Sequence, residues 1–460
     1  MIGWISTGCA VLMGVLLCLA LLPPMQRGRL GWSLALGPLV GVSLSSCLLF
    51  LLMMVADGQP LWVLLVDGLV SVGVSVGVGM RWGGRISNGI SEPLSAVKTA
   101  SSISLIALVC LIVSLGMIGA ECWNHHRVRP DGWWDAVMIW NVRAKFFVRG
   151  TFGLAHDFQV DPMGHGDYPL MLPLSVSRMW GIEGIEHPSD PLVIQGILLV
   201  SLVMLIVVLA TERAGLMWGA TVGLVMLSWS AYGEQLSWQI ADIPLSAFLL
   251  GTCVALTKAA SQREKEAFLW WLLMSGFLAA SSAWMKNEGL VAMGIAALIA
   301  GFISWRRGMM ATGVITFIKG AGPVLLVLGL FKLLYAPPSD LLATRTVSMT
   351  ELITDPTRHE MIWKFIEFLL WQKACWPVCL LVALVVVGVM TRWRISVAGT
   401  VIALVFIVAL TGSYYLAYLT TPHDLDWHLG TSIHRLALQV WPLVVLCAVG
   451  FESRQKTTVN

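Results

Sequence analysis

Blocks of about 20 consecutive apolar residues, the length of helix that spans a bilayer core, recur along this chain and leave it few ways to fold. They lie at 4–22, 32–55, 61–80, 100–120, 190–210, 215–232, 240–258, 268–284, 288–304, 311–335, 375–390, 395–415 and 434–451. Inside a bilayer every backbone polar group needs an internal partner, which restricts spanning structures to helices and closed barrels. Barrel strands would be shorter and would alternate polar with apolar residues, and these blocks do neither. Charged residues make up 12% of the 460 and hydrophobic ones 57%, roughly half the charge of a soluble domain. The expectation is an all-α, polytopic transmembrane bundle of about 13 spans.

The cations of the short loops fall in every second loop. Arg27 and Arg29, then Arg81, Arg85 and Lys98, then Arg213, then Lys258, Arg263 and Lys265 fall on one side if the chain alternates strictly. Arg306 and Arg307, Arg392 and Arg394, and Arg454 and Lys456 fall on the same side. By the positive-inside rule that side is cytoplasmic, with the N-terminus outside and the C-terminal tail inside. The first block, 4–22, has neither a basic n-region nor a small-residue exit, so it reads as a retained span. A net charge of +3, distributed in this way, gives no reason to expect a nucleic-acid partner.

Of the nine cysteines, Cys9, Cys18, Cys47, Cys110, Cys253, Cys379 and Cys447 sit inside apolar blocks, where thiols serve as small hydrophobes. Cys122 and Cys375 fall near the outer face, and one bridge between them is compatible with that placement. No metal-type cysteine pair is present. Three regions are expected: accessory transmembrane helices at 1–98, a transmembrane core at 99–335 with an outer loop at 121–189, and a C-terminal region at 336–460 with an outer loop at 336–374. Both loops contain amphipathic pieces too short and polar to cross, which suit helices lying on the membrane surface.

The outer segment 130–174 departs from everything around it. It clusters Asp131, Asp135, Asp161, Asp167, His165, Arg143 and Lys145 among tryptophans. Read as one helix over 131–149, it sets Trp133, Ala136, Val137, Trp140, Ala144 and Phe147 on one face and Asp131, Asp135, Lys145 and Arg149 on the other. The plainer reading is an aromatic interfacial anchor with solvated charges. Against it, a second polar patch, His165-Gly166-Asp167-Tyr168-Pro169, follows in the same loop, so the segment is expected to bind or react with something.

Gly132-Trp133-Trp134-Asp135-Ala136, continued by Ile139-Trp140-Asn141 and Ala144-Lys145, resembles a signature of the GT-C membrane glycosyltransferases. His165 with Asp167-Tyr168-Pro169-Leu170 and Pro173-Leu174 is similar to the family's following motif, with Gly166 where that motif has proline. Ala241-Asp242-Ile243-Pro244-Leu245 and Lys286-Asn287-Glu288-Gly289 resemble two later elements, and 435–442 the final span. Relatives of that type include the dolichyl-phosphate-mannose protein mannosyltransferases and the aminoarabinose transferase of lipid A. The resemblance covers about 121–300 and a short piece near the C-terminus; it does not extend to 1–98.

The resemblance implies transfer of a sugar from a polyprenyl-phosphate carrier to an acceptor hydroxyl, with inversion, at the outer face of a membrane, most simply a bacterial inner membrane. The acceptor would be a glycan, lipid or protein. Such chemistry needs a carboxylate as general base and positive charge on the departing phosphate. Asp135 is the candidate base and Asp131 the second choice. Lys286, Arg435 and Lys145 are candidates for the lipid phosphate, since an arginine can donate two parallel hydrogen bonds to it. Trp134, Asn141, Asp167, Tyr168, Asp242 and Glu288 are candidate substrate contacts. The plainer reading of Lys286 is a snorkelling lysine paired with Glu288, and that of Asp242 is a helix cap. No cofactor is demanded, although a divalent cation, Mg or Mn, shared with Asp242 is compatible with two nearby acids. His423, His428 and His434 do not have metal-ligand spacing.

Two other functions use the same parts. A transporter or flippase for a lipid-linked sugar should carry charges near the bilayer midplane on broken helices. An oligosaccharide polymerase or ligase would rest on the late outer loop with Arg345, Arg358, His359 and Lys364.

Overall fold

A computed structural model describes residues 2–452 except 25, 27, 99–100, 151–152, 160–164, 339–347, 391–393, 396 and 449–450. Asp161, Arg345, Arg27, Arg392, Arg454 and Lys456 therefore lie outside the described residues, as do the side chains of Lys98 and Arg394. The chain begins with α1 (Ile2–Leu21), α2 (Arg29–Ala56), α3 (Leu61–Lys98) and α4 (Ser102–Val128). A π-helical turn (Ala136–Trp140) leads into α5 (Asn141–Arg149), followed by α6 (Leu154–Gln159) and α7 (Met171–Glu183). Then come α8 (Asp190–Ala214), α9 (Leu216–Leu227), α10 (Ala231–Ser237), α11 (Asp242–Ser261), α12 (Lys265–Met285), α13 (Glu288–Arg306) and α14 (Met310–Leu334). The last part holds α15 (Met349–Thr354), α16 (Pro356–Leu369), α17 (Cys375–Met390), α18 (Val397–Thr420) and α19 (Leu425–Ala448). The only described strands are the two-residue pair Arg394–Ile395 and Phe451–Glu452.

Twelve helices among the described residues are long and apolar enough to cross a bilayer, so the chain is an all-α polytopic membrane protein. The span expected at 215–232 is built differently. It is a 12-residue helix, α9, a break at Ser228–Ser230, and the short α10. The two pieces together return the chain from one end of the bundle to the other. Gly219 packs on α8 beside Thr211, while Trp238, just past α10, accepts from the backbone of Trp133 at the opposite end.

Alternation along the chain sorts the polar residues between two ends. At the basic end, Glu212 accepts from Gln26 at 2.5 Å, Trp32 at 2.9 Å and Lys258 at 2.7 Å. Arg29 donates to the Arg85 carbonyl there, and Arg307 to the Ala260 carbonyl. At the acidic end stand Asp135, Asp167, Asp242 and Glu288. α11 starts at the acidic end, α12 returns to it, α13 leaves it and α14 returns, so their acidic-end residues are neighbours in space although distant in sequence.

The main core cluster runs through α2, α8, α11 and α12, with two smaller clusters beside it, one between α16, α18 and α19 and one between α1 and α3. The membrane-spanning part of α11 is 94% buried and that of α4 only 11%, which sets one at the centre and the other on the rim. The N-terminal helices are part of that core: Trp32 and Phe50 of α2 stack edge-on against Trp271 and Trp284 of α12. Below α7, Arg178 reaches Asp67 at 3.3 Å and also bonds Ser45, with both charged side chains fully enclosed.

Two outer elements differ from expectation. The region 131–149 is not one α-helix, because the π-helical turn Ala136–Trp140 inserts a wide turn after Asp135. Ala136, Trp140, Ala144 and Phe147, expected to face the interfacial layer, are buried in the protein core. In the 336–374 loop, α16 is continuous with α17 through a second π-helical turn, Leu370–Ala374, so it extends a span instead of lying as a separate surface helix. Arg358 and His359 on α16 bond the end of α18, to the Tyr418 carbonyl at 2.9 Å and the Tyr415 hydroxyl at 2.5 Å. Cys122 and Cys375 are both free thiols.

Candidate functional site

Asp135 reaches the acidic end because its approach is fixed on two sides. Gly132 turns the chain at φ 83°, a conformation open to glycine, and a side chain there would strike the Trp238 carbonyl at 2.8 Å. Trp133 then stacks on Trp238 with ring centroids 5.3 Å apart, and Arg129 lies over the Trp133 ring at 4.0 Å. On the far side the π-helical turn repositions α5, whose apolar face packs on α7. Trp134, at the helix start, is exposed.

The centre of the cluster is Arg435, ten residues into α19. Its Nη2 lies 2.8 Å from Asp135 and 2.8 Å from Asp242, and its Nε donates to Asp242 at 3.1 Å. Asp242 does not cap α11. Instead its carboxylate accepts from Lys286 at 3.1 Å and from the Gln439 amide as well as from Arg435. Gln439 stands one helical turn after Arg435, on the same face, and accepts from the Tyr414 hydroxyl at 2.7 Å. Lys286 is bridged to both Asp242 and Glu288, the latter at 2.8 Å. Burial alone would pull the Lys286 ammonium down. Asp242 and Glu288 more than offset it, so its pKa rises above the ordinary lysine value.

Glu288 can stand beside Lys286 because α12 and α13 meet in a very tight turn. A Cβ on Gly289 would sit 2.0 Å from the Ser282 carbonyl, so only glycine permits this approach. The same turn presents Asn287, which donates to Asp167 at 2.8 Å. Lys332, at the end of α14, donates to the Asn287 side chain at 2.9 Å and lies 3.7 Å from the Asp167 carboxylate. Arg143, enclosed by the fold, donates to the Tyr168 carbonyl at 2.5 Å, the Phe158 carbonyl at 3.3 Å and the Gly166 carbonyl, and so ties Gly166 and Tyr168 to α5 and to Phe158. Burial, then Glu288 and Asp167, push the Tyr168 phenol well above its usual value of 10, so it remains a hydrogen-bond donor.

Asp135, Asp242, Lys286, Glu288 and Arg435 therefore meet in one ionic cluster, and Asp167, next to Tyr168, is joined to the same turn through Asn287. Asp131, Asn141 and Lys145 do not join it. Asp131 is exposed in the turn before the helix and is not on a shared face with Asp135. All three line a small separate cavity of ≈ 20 Å³ with Trp180, Glu186 and Gln239, room for about one water. Asn141 donates to Gln239 there at 2.6 Å. For Asn141 and Lys145 the cause is the wide π-helical turn, which changes the phase of everything after Asp135; Asp131 lies in the turn before the helix begins.

A divalent cation fits these residues poorly. Both oxygens of Asp242 are taken by Lys286, Gln439 and Arg435, and Arg435 fills the space between Asp242 and Asp135. No group of three His, Cys, Asp or Glu among the described residues has ligand geometry.

Reading along the sequence missed Lys332, Gln439 and Tyr414 as partners. Gln439 had a signal, a polar side chain inside an apolar block one turn from a cation. Lys332 reads as an ordinary lysine at a span end, and Tyr414 carries no signal at all. Searches of protein-family models, curated proteins and solved structures find no match to this chain.

Proposed function

We propose that this protein is an inverting GT-C-type membrane glycosyltransferase that moves a sugar from a polyprenyl-phosphate carrier to an acceptor hydroxyl. The observation that carries the reading is the meeting of four motif segments, far apart in sequence, in one ionic cluster around Arg435. Asp135 is the solvent-side carboxylate paired with Arg435, with 19% of its side chain exposed against 1% for Asp242, while Glu288, 23% exposed, is paired with Lys286. It takes the proton from the attacking hydroxyl, a role that contributes a factor of roughly 100 to 10,000 in rate. Arg435 and Lys286 stabilise the charge that gathers on the departing lipid phosphate. Asp242 and Gln439 hold those two cations in place. The acidic end then faces outward, most simply into the periplasm from a bacterial inner membrane, because the short basic loops gather at the other end.

The test is direct. Purified protein in micelles is given a panel of polyprenyl-phosphate sugars, and hydrolysis or transfer is scored. One of them should be consumed, and Asp135→Asn should abolish turnover while carrier binding persists. Consumption of none, or normal turnover by the Asn variant, would end the assignment.

One observation favours the transporter reading: Asp67 and Arg178 form an ion pair enclosed within the bundle, where charges commonly mark pathways. Movement of a labelled lipid-linked sugar across protein-containing vesicles, lost in Asp67→Asn, would support it over transfer.

A further inference from the structure

Arg435 holds two anions at once, and they are not held alike. Asp242 lies beneath it, enclosed, and is tied to Lys286 and Gln439 as well. Asp135 lies on the open side: its side chain is 19% exposed and that of Arg435 is 12% exposed. Both carboxylates approach the same nitrogen, Nη2, at 2.8 Å. An anion arriving from outside the bundle therefore meets the Asp135 contact first. It can take that contact without disturbing the buried one, since removing Asp242 would leave Lys286 and Arg435 enclosed without their shared counter-ion.

From this geometry we infer that Asp135 is a resident stand-in for the carrier phosphate, and that phosphate binding expels it from Arg435. The inference rests on the reading of the site as one for a phosphate ester. Before the carrier arrives, Asp135 is engaged as the partner of a guanidinium and is unavailable to accept a proton from a hydroxyl. When phosphate oxygens take the Nη2 donor, the carboxylate is released toward solvent as the free base. No covalent bond changes and no proton moves in this exchange; one anion replaces another on the same cation. Donor binding thereby precedes base release, which imposes an order: carrier first, acceptor second. It also limits wasteful chemistry, because the base is exposed only when a phosphate is seated.

The exchange makes an unusual demand on binding. A residue proposed as the base should weaken the ligand's grip while it is present, because it competes for Arg435. Binding is measured with full-length protein in detergent micelles, using farnesyl phosphate, with inorganic phosphate as competitor and farnesol as the phosphate-free control. Asp135→Asn should tighten farnesyl phosphate by about tenfold, equivalent to about 1.4 kcal/mol. Inorganic phosphate should compete more strongly in that variant than in the wild type, and farnesol should bind both alike. Asp131→Asn makes the same change of charge four residues away, outside the contacts of Arg435, and should leave affinity where it was. Equal or weaker binding of farnesyl phosphate by Asp135→Asn overturns the exchange while leaving the carrier reading in place. So does equal tightening by Asp131→Asn, which would be a general effect of net charge, or equal tightening toward farnesol, which would be an effect of the tail. If the wild type and both variants bind neither phosphate, the carrier reading itself fails and the exchange fails with it.

Discussion

Asp242 illustrates how one buried carboxylate can gather a cluster of charges. Its carboxylate is enclosed, and Arg435, Lys286 and Gln439 all donate to it. Two cations so close would repel each other if that anion were lost. Asp242→Asn should therefore destabilise the protein by about 3–5 kcal/mol, the range for breaking a buried pair on one side. The measurement is the thermal unfolding midpoint in detergent beside that of Asp135→Asn, whose removal costs little because that contact is on the open side. A midpoint for Asp242→Asn equal to that of the wild type would show that water or another anion enters the cluster. Lys332 works in the same way, joining Asp167 and Asn287 from the end of α14.

Between residues and fold stands the π-helical turn Ala136–Trp140. Such turns are inserted single residues, kept in helices chiefly where they aim a side chain. Here the turn lets Asp135 point to Arg435 while Ala144 and Phe147 stay buried on α5. An unbroken α-helix would advance 100° per residue, the ideal spacing, and could not satisfy both. Deleting Val137, which is exposed within the turn, should restore regular helix and rotate Asp135 away from the cluster by about that angle. Transfer should fall by a factor of about 100 or more, with the unfolding midpoint close to that of the wild type. Retained activity would mean that the turn has no part in aiming Asp135. The break between α9 and α10 is a second irregular element, and it lets a short helix complete the return crossing that places Gln239 beside Asn141.

At the scale of the whole molecule, the division into a basic and an acidic end fixes which loops can meet. Cysteines placed singly at Glu186 and Asp424 belong to the acidic end, and ones at Gln262 and Lys265 to the basic end. A membrane-impermeant thiol reagent applied to intact cells should label the first pair, and should reach the second pair only after permeabilisation. Labelling of Gln262→Cys and Lys265→Cys from outside would invert the orientation and put the cluster on the side facing away from an external acceptor. The background is a variant with Cys110, Cys375 and Cys379 replaced, since those thiols are exposed.

The sequence by itself determined the class, the approximate spans and the strict alternation of the basic loops, because membrane burial acts on every residue of a block and leaves a signal about 20 residues long. It also marked Lys286 and Arg435, since charges near apolar blocks stand out against their surroundings, while Asp135 and Asp242 were singled out by the motifs that resemble the GT-C family. Only the tertiary structure decided that Arg435 joins Asp135 to Asp242, that Gln439 and Tyr414 complete that set, and that Asp131, Asn141 and Lys145 belong to another cavity. The physical reason is the range over which each signal acts. Hydropathy is a local sum, whereas the cluster joins Asp135 to α11, α12, α13 and α19, with Asp242 and Gln439 alone 197 residues apart. One wide helical turn, invisible in the regular 3.6-residue pattern, was enough to move Asn141 and Lys145 out of the site, and a helix that starts only after Gly132 left Asp131 outside it.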